Sequence, residues 1–374
     1  MPATIWEYLS DNVALTADSG TVYLDLPRGE QIMEILLEWR ATNSATAYPL
    51  HSILDSITKV EVLADGVKTL YSATAEIGSY LAFVQRGGLV PDHTLRDTPS
   101  ETCVMRLPII FGRYPGDVEF LLDTSLYRHC QLRIEYVDTT TYIGTGSFKH
   151  TVTYRRPLER LSPVGFVRHR VVKTEASAAA GTVRHDLPLG YPWFLAGVRM
   201  DDYDADVSGN ITDVDLNIDS GRLHLVNLHM AEIMQINRMT MPNPSAYFVR
   251  LACTGNEDSH HFGAWPIPFS LNNDSGSPII IGMSSMTGEK FMCHVLDSDG
   301  HVTTTEHAVV LNFPSSMPHA CVMLFDGRAE AFNAPSYNEA WLDYTTGSNT
   351  QTIHTFLSEL IRGGCKGGLD QHRG

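Results

Sequence analysis

The sequence predicts an all-β protein built from two tandem β-sandwiches copied from one ancestral unit. Three observations carry that expectation: motifs that recur in the same order, short strands separated by turn signals, and a composition able to fill two cores. The chain has 374 residues, 43% of them hydrophobic and 19% charged. This suits two globular domains of roughly 150 to 200 residues. It excludes disorder, collagen and coiled coil as global readings.

The repeat begins with Gly20-Thr21-Val22-Tyr23-Leu24-Asp25-Leu26-Pro27-Arg28-Gly29. It aligns with Gly181-Thr182-Val183-Arg184-His185-Asp186-Leu187-Pro188-Leu189-Gly190, and seven of the ten positions are identical. Ile57-Thr58-Lys59-Val60-Glu61-Val62 is then matched by Ile211-Thr212-Asp213-Val214-Asp215-Leu216, and Asp65-Gly66 by Asp219-Ser220-Gly221. Ala75-Glu76-Ile77 is matched by Ala231-Glu232-Ile233, and Leu107-Pro108-Ile109-Ile110-Phe111 by Trp265-Pro266-Ile267-Pro268-Phe269. Offsets stay between about 154 and 161 residues and drift as loop insertions make them drift. One match is expected by chance; several in the same order point to duplication.

Within the unit, Thr21 to Leu26 and Ile32 to Thr42 are apolar and β-branched, as strands are. Ile57 to Leu63 runs into Asp65-Gly66, a hairpin signal, and Val67 to Tyr71 resumes the strand. Ala73 to Gln85 places Ile77, Tyr80, Leu81 and Val84 at helical spacing. Cys103 to Phe111, Val118 to Leu122 and Gln131 to Val137 predict three more strands. In the last, Leu132, Ile134 and Tyr136 alternate with Arg133 and Glu135, so one face is buried. About eight strands and one helix per half is the pattern of a Greek-key or jelly-roll sandwich.

The expected organisation is a first eight-stranded jelly roll with a short N-terminal segment over 1–160, a second over 161–331, and a tail over 332–374. Arg156-Pro157 and Ser162-Pro163 mark the junction, and Phe166 to Lys173 opens the second roll. In the tail, Ile353, Phe356, Leu357, Leu360 and Ile361 fall at i, i+3, i+4, i+7 and i+8. This spacing predicts a C-terminal amphipathic helix ended by Gly363-Gly364. Its stripe would pack on its own or a neighbouring subunit, or meet acidic lipid headgroups with help from Arg362, Lys366 and Arg373. Ile5, Trp6 and Leu9 could form a similar short anchor.

Lys+Arg number 27 against Asp+Glu 43, a formal charge of −16. Such a chain repels phosphate, so direct contact with nucleic acid is not expected. The six cysteines form no Cys-x-x-Cys pair and read as free thiols in a reducing compartment. Met1 to Asn12 lacks a basic stretch followed by an apolar one, so no secretory signal is expected. No window reaches the ~18 apolar residues of a membrane-spanning helix.

Two tandem jelly rolls of this size resemble the double-jelly-roll major capsid proteins of tailless icosahedral, membrane-containing bacteriophages, the adenovirus lineage and related archaeal viruses. Thr21 to Arg40 is similar to the family's opening strand pair, Leu54 to Gln85 to its strand, hairpin and helix, and Met105 to Val137 to its closing run. The scheme repeats from Val183, and the likeness covers roughly residues 15 to 330. The resemblance implies a structural subunit without catalytic activity or cofactor. It implies a homotrimer that forms a pseudo-hexagonal capsomer and then a capsid lattice. Minor capsid or penton proteins and an internal lipid membrane would be further partners, in a virion whose protein is made in the host cytoplasm. Gly87 to Glu101 and Met241 to His260 would be loops that lock the trimer, decorate it or simply cover the surface.

Competing chemistry is sparse. Asp202, Asp204, Asp206 and Asp213 fall at positions 1, 3, 5 and 12 of a calcium-loop spacing. Val207 stands where that loop needs Gly, so a solvated acidic loop is the first reading and a structural calcium site the second. Asp274-Ser275-Gly276 is similar to a serine-protease nucleophile loop, but Asn273 replaces the preceding Gly and His51 lacks the expected small neighbours. His224 and His229, five apart, would point to opposite faces of one strand. His260-His261 and Cys293-His294 make no recognisable site. The rival functions are a two-domain β-sandwich hydrolase and a carbohydrate- or receptor-binding protein using Trp193, Phe194 and Trp265.

Overall fold

The computed structural model describes residues 3–15, 17–42, 53–87, 100, 102–137, 148–176, 180–200, 211–240, 320–325, 331–347 and 352–362, and the backbone of strands between 248 and 312. The first half contains β1 (Thr4–Ala14), β2 (Ser19–Asp25), β3 (Gln31–Ile32), β4 (Glu34–Thr42), β5 (Ile57–Ala64) and β6 (Lys68–Ala73). Helix α1 (Ala75–Gln85) follows, then β7 (Thr102–Ile110), β8 (Leu122–Asp123), β9 (Cys130–Val137) and β10 (Lys149–Pro157). Eight of these strands form two layers, ordered β1-β10-β4-β7 and β2-β9-β5-β6, and β3 pairs with β8 in a two-stranded ribbon.

The second half repeats this with β11 (Gly165–Ala176), β12 (Thr182–Asp186), β13 (Trp193–Met200), β14 (Ile211–Ile218), β15 (Leu223–His229) and helix α2 (Met230–Thr240). An inserted sheet comes next, made of β16 (Phe248–Cys253), β17 (Asn256–His261), β18 (Phe269–Asn272), β19 (Pro278–Ile281), β20 (Phe291–Leu296) and β21 (Val302–Asn312). The roll is then completed by β22 (Ala320–Leu324), β23 (Ala340–Thr346) and β24 (Thr352–Arg362). Its sheets run β11-β24-β13-β22 and β12-β23-β14-β15, the same order as in the first half. The chain is therefore a double jelly roll.

Even the irregularities repeat. β1 carries a bulge at Leu9 against β10, and β11 carries one at Val172 against β24. β6 bulges at Leu70 against β5, and β15 at Leu225 against β14. Bulges fix register, so a bulge repeated at the same ladder position identifies equivalent residues where sequence identity has faded. The turn between β5 and β6 places Asp65 and Gly66 at φ 53° and 76°, and the equivalent turn places Asp219, Ser220 and Gly221 at 49°, 57° and 77°. This left-handed backbone is what the Asp-Gly signal demands.

The final strands correct the expected tail. Residues 340–362 are not an appendage with a helix; they supply β23 and β24 of the second roll. β24 lies between β11 and β13 in an eight-stranded sheet. Ile353, Phe356, Leu357, Leu360 and Ile361 are all buried in the chain's own core, so they are not a membrane or partner contact. A strand covered on both faces becomes a continuous apolar run without alternation, and such a run also satisfies helical spacing. Ile5, Trp6 and Leu9 likewise lie in strand β1 rather than in a helical anchor. The equivalent of β7 is β22, so the match of Leu107–Phe111 to Trp265–Phe269 is not a structural one. Met241 to His260 is not simply a loop, since β16 and most of β17 fall within it. Val118 to Leu122 yields only the start of β8.

Helix amides blunt two sheet edges. Gln85 of α1 donates its side-chain amide to the carbonyls of Ile110 and Gly112 beside β7. Asn237 of α2 exchanges two bonds with the Val322 backbone in β22, at 2.6 and 2.9 Å. The larger core packs Trp39, Val62, Leu107 and Ile134 of the first roll together with Phe194, Val322, Phe356 and Leu360 of the second. A smaller core, around Trp193, Leu216, Leu342 and Tyr344, fills the second roll alone.

Candidate functional site

The two rolls are fused along β6 and β11. These strands pair in parallel, Tyr71 opposite His169 and Ser72 opposite Arg170. They join two four-stranded sheets into one of eight. On one face His169 is fully buried. Its Nδ1 lies 2.6 Å from the Ser358 hydroxyl, and its ring meets the Tyr71 ring edge-on at 6.0 Å. Burial lowers the His169 pKa to about 4 and pushes the Tyr71 hydroxyl well above the usual phenol range.

On the opposite face the fully buried Glu359 accepts from Arg168 Nε at 2.9 Å and from Arg170 Nε and Nη2 at 2.9 and 3.0 Å. A carboxylate this deep persists only when paired. Arg168 also stacks on Tyr191 at 4.8 Å. A groove of about 460 Å³ lies along the joint, lined by Lys68, Tyr127, Arg168, Arg170 and Tyr191 among others. Further along, Glu76 at the first turn of α1 pairs with Arg199 of β13, and Tyr80 is buried beside that pair. Thr74 caps α1 by accepting from the Ile77 amide at 3.2 Å. The arrangement holds two sandwiches as one body.

The outer face of β12-β23-β14-β15 is polar. Arg184 pairs with Asp343 at 2.9 Å and lies over the Trp341 ring at 4.4 Å. His224 Nδ1 meets Asp215 at 2.8 Å, and His229 Nδ1 meets Asp213 at 2.6 Å. Asp213 and Asp215 share a face, so the two histidines share it too. The Leu225 bulge shifts the alternation by one residue and overturns the expectation of opposite faces. Among the described residues no three metal-ligating side chains converge.

Of the calcium-loop candidates, Asp213 is taken by His229 and by the Thr212 hydroxyl at 2.7 Å. Asp202, Asp204 and Asp206 lie outside the described residues, as do His51, Asn273, Asp274, Ser275 and Trp265. His260, His261, Cys293 and His294 fall in strands described by backbone alone. Trp193 and Phe194 are core residues. Cys103, Cys130 and Cys321 are buried free thiols, and burial pushes Cys130 and Cys321 up to about 12.

Sequence reasoning missed the joint. Its signal was present: Arg168-His169-Arg170 interrupts an apolar strand, and Glu359 is an acidic residue inside another. Opposite charges set in apolar strands imply each other.

No protein-family model matches the sequence, and no curated protein matches it. Solved structures do. A chain in the atomic structure of Sulfolobus Turreted Icosahedral Virus superposes with a TM-score of 0.61 at 11% identity, covering 96% of this chain and 91% of that one. The major capsid protein P2 from Bacteriophage PM2 gives 0.53 at 12% identity, covering 98% and 100%. A chain of the PBCV-1 virus capsid gives 0.54 at 10% identity, covering 96% and 93%. Over nearly its whole length the chain shares the double-jelly-roll fold of these viral capsid proteins.

Proposed function

We propose that the chain is a major capsid protein, the structural subunit of an icosahedral virus shell, and that it assembles as a homotrimeric, pseudo-hexagonal capsomer. One observation carries this reading. The likeness to capsid proteins is nearly co-extensive in both directions, 98% of this chain and 100% of the PM2 protein. The shared fold thus runs along the length of both chains, as a common structural role would require. Two near-equivalent rolls per chain also suit a closed ring, because three copies present six similar wedges.

The net charge of −16 favours a lipid membrane or basic minor proteins between shell and genome. Asp213 is engaged by His229, and the proposal carries no cofactor. The function is tested by the mass in solution and by electron microscopy of the purified protein under assembly conditions. A stable trimer that forms shells or hexagonal sheets is expected. A monomer at every concentration, or hydrolytic turnover lost on mutating a cluster of carboxylates, would overturn it.

A further inference from the structure

The groove along the joint carries uncovered positive charge in a chain with an excess of acids. Lys+Arg number 27 against Asp+Glu 43, and elsewhere an arginine finds more than one carboxylate. Arg113 takes both Asp117 and Glu119, and Arg156 reaches Glu7 and Glu30. At the joint the ratio is reversed. Arg168 and Arg170 share the single carboxylate of Glu359, which leaves one net positive charge. Lys68 is exposed on β6 and lines the same groove, with no carboxylate partner among the described residues. Of the described residues that line the groove, none is acidic.

The donors there are held in place and unused. Glu359 occupies Nε and Nη2 of each arginine. Both Nη1 groups, with two N–H donors apiece, stay unpaired among the described residues. Tyr191 stacks on Arg168 at 4.8 Å. The arginine side chains are recessed, 19% and 28% exposed. Tyr127 supplies a further donor. It lines the groove and is only 7% exposed, yet its hydroxyl has no hydrogen-bond partner among the described residues. Burial pushes that hydroxyl up to about 12, so it keeps its proton. A polar group this deep is costly until an acceptor reaches it. The rim is apolar, with Val67 81% exposed at the turn between β5 and β6.

We infer that this groove binds a short acidic peptide segment of a partner protein, whose carboxylate meets Arg168, Arg170, Lys68 and the Tyr127 hydroxyl while a neighbouring apolar side chain covers Val67. A planar guanidinium matches a carboxylate in geometry as well as in charge. The volume of about 460 Å³ is that of a site for a small ligand or a few peptide residues. A side chain on an extended segment reaches recessed arginines, whereas the flat surface of a bilayer does not. A nucleic-acid backbone lacks the apolar part and is repelled by the net charge of −16. The inference goes beyond the shell reading and does not depend on it.

The test screens a displayed library of short random peptides against the full-length chain, with Lys68→Glu as the counter-screen. Selected peptides should carry Asp or Glu beside an aliphatic or aromatic residue. By fluorescence anisotropy, Lys68→Glu should weaken them about tenfold and Tyr127→Phe severalfold, with melting temperatures unchanged. Lys149→Glu, at an exposed lysine on β10, should bind as the parent does. A selection without acidic enrichment, or peptides that hold Lys68→Glu as tightly as the parent, would overturn the inference. Phosphatidylglycerol vesicles are the second probe. Vesicle binding abolished by Lys68→Glu, with no acidic peptide selected, would give the groove to a lipid phosphate and overturn it as well.

Discussion

His150, His169 and His185 are buried in the first core, the joint and the second core. Burial lowers the pKa of each, His169 from 6.5 to about 4. A buried imidazole that stays neutral while the unfolded chain binds a proton makes stability depend on pH. The contribution is complete above about pH 6.5 and is lost as pH falls, for His169 until about pH 4. At ~1.36 kcal/mol per pKa unit, that histidine alone is worth on the order of 3 kcal/mol. Exposed carboxylates held low, such as Glu7 by Arg156 and Tyr154, lose their contribution only below the ordinary carboxylate range. Urea midpoints should therefore drop between pH 7 and pH 4.5, and His169→Asn should flatten that slope; an equal slope would remove His169 from the account. Glu359 tests the other face of the joint. Glu359→Gln leaves Arg168 and Arg170 facing a neutral amide in a buried site and should cost about 3 kcal/mol by urea unfolding, whereas a cost below 1 kcal/mol would mean that solvent reaches the pair.

Strands with one wet face could be read from the sequence, and strands with two dry faces could not. β9 alternates buried and half-buried positions from Cys130 to Val137, so period two was visible. β13 is buried at every position and β24 at nearly every one, because one face packs in the second roll and the other against the first. Such strands lose alternation, and the spacing of Ile353, Phe356, Leu357, Leu360 and Ile361 then imitates a helix. β10 does alternate, with His150, Val152 and Tyr154 buried, but Arg155, Arg156 and Pro157 make its end read as a linker. The joint was hidden for another reason: His169 meets Ser358 across 189 residues of sequence, a distance no local pattern spans. A truncation separates strand from tail. Ending the chain after Gly347 removes β24 from between β11 and β13 and strips His185 of Thr355, 2.6 Å away. The truncated chain should be insoluble or lack a cooperative thermal transition by circular dichroism. A soluble product with the full-length melting profile would show that β24 is dispensable.

At the scale of the whole molecule, the halves differ chiefly in what connects the helix to the next strand. The first roll passes from α1 to β7 through residues 86–101, and the second from α2 to β22 through residues 241–319. Among the described residues the six strands inside that insertion pair with one another and with no strand of either roll. The insertion shifted the offset between the copies. The motif match that works as far as Ala231-Glu232-Ile233 fails beyond it, and β23 and β24 fall outside the expected second unit. An insertion that supplies no ladder should be removable. Replacing residues 241–319 with the sequence of residues 86–101 should leave a double jelly roll whose melting temperature lies within a few degrees of the parent, since ~1 kcal/mol moves a domain of this size by about 2–4 °C. Light scattering should show the same oligomer, because the strands of both rolls lie outside the replaced stretch. A folded but monomeric product would place the assembly surface in the insertion, and an unfolded one would make the inserted sheet part of the second roll's core.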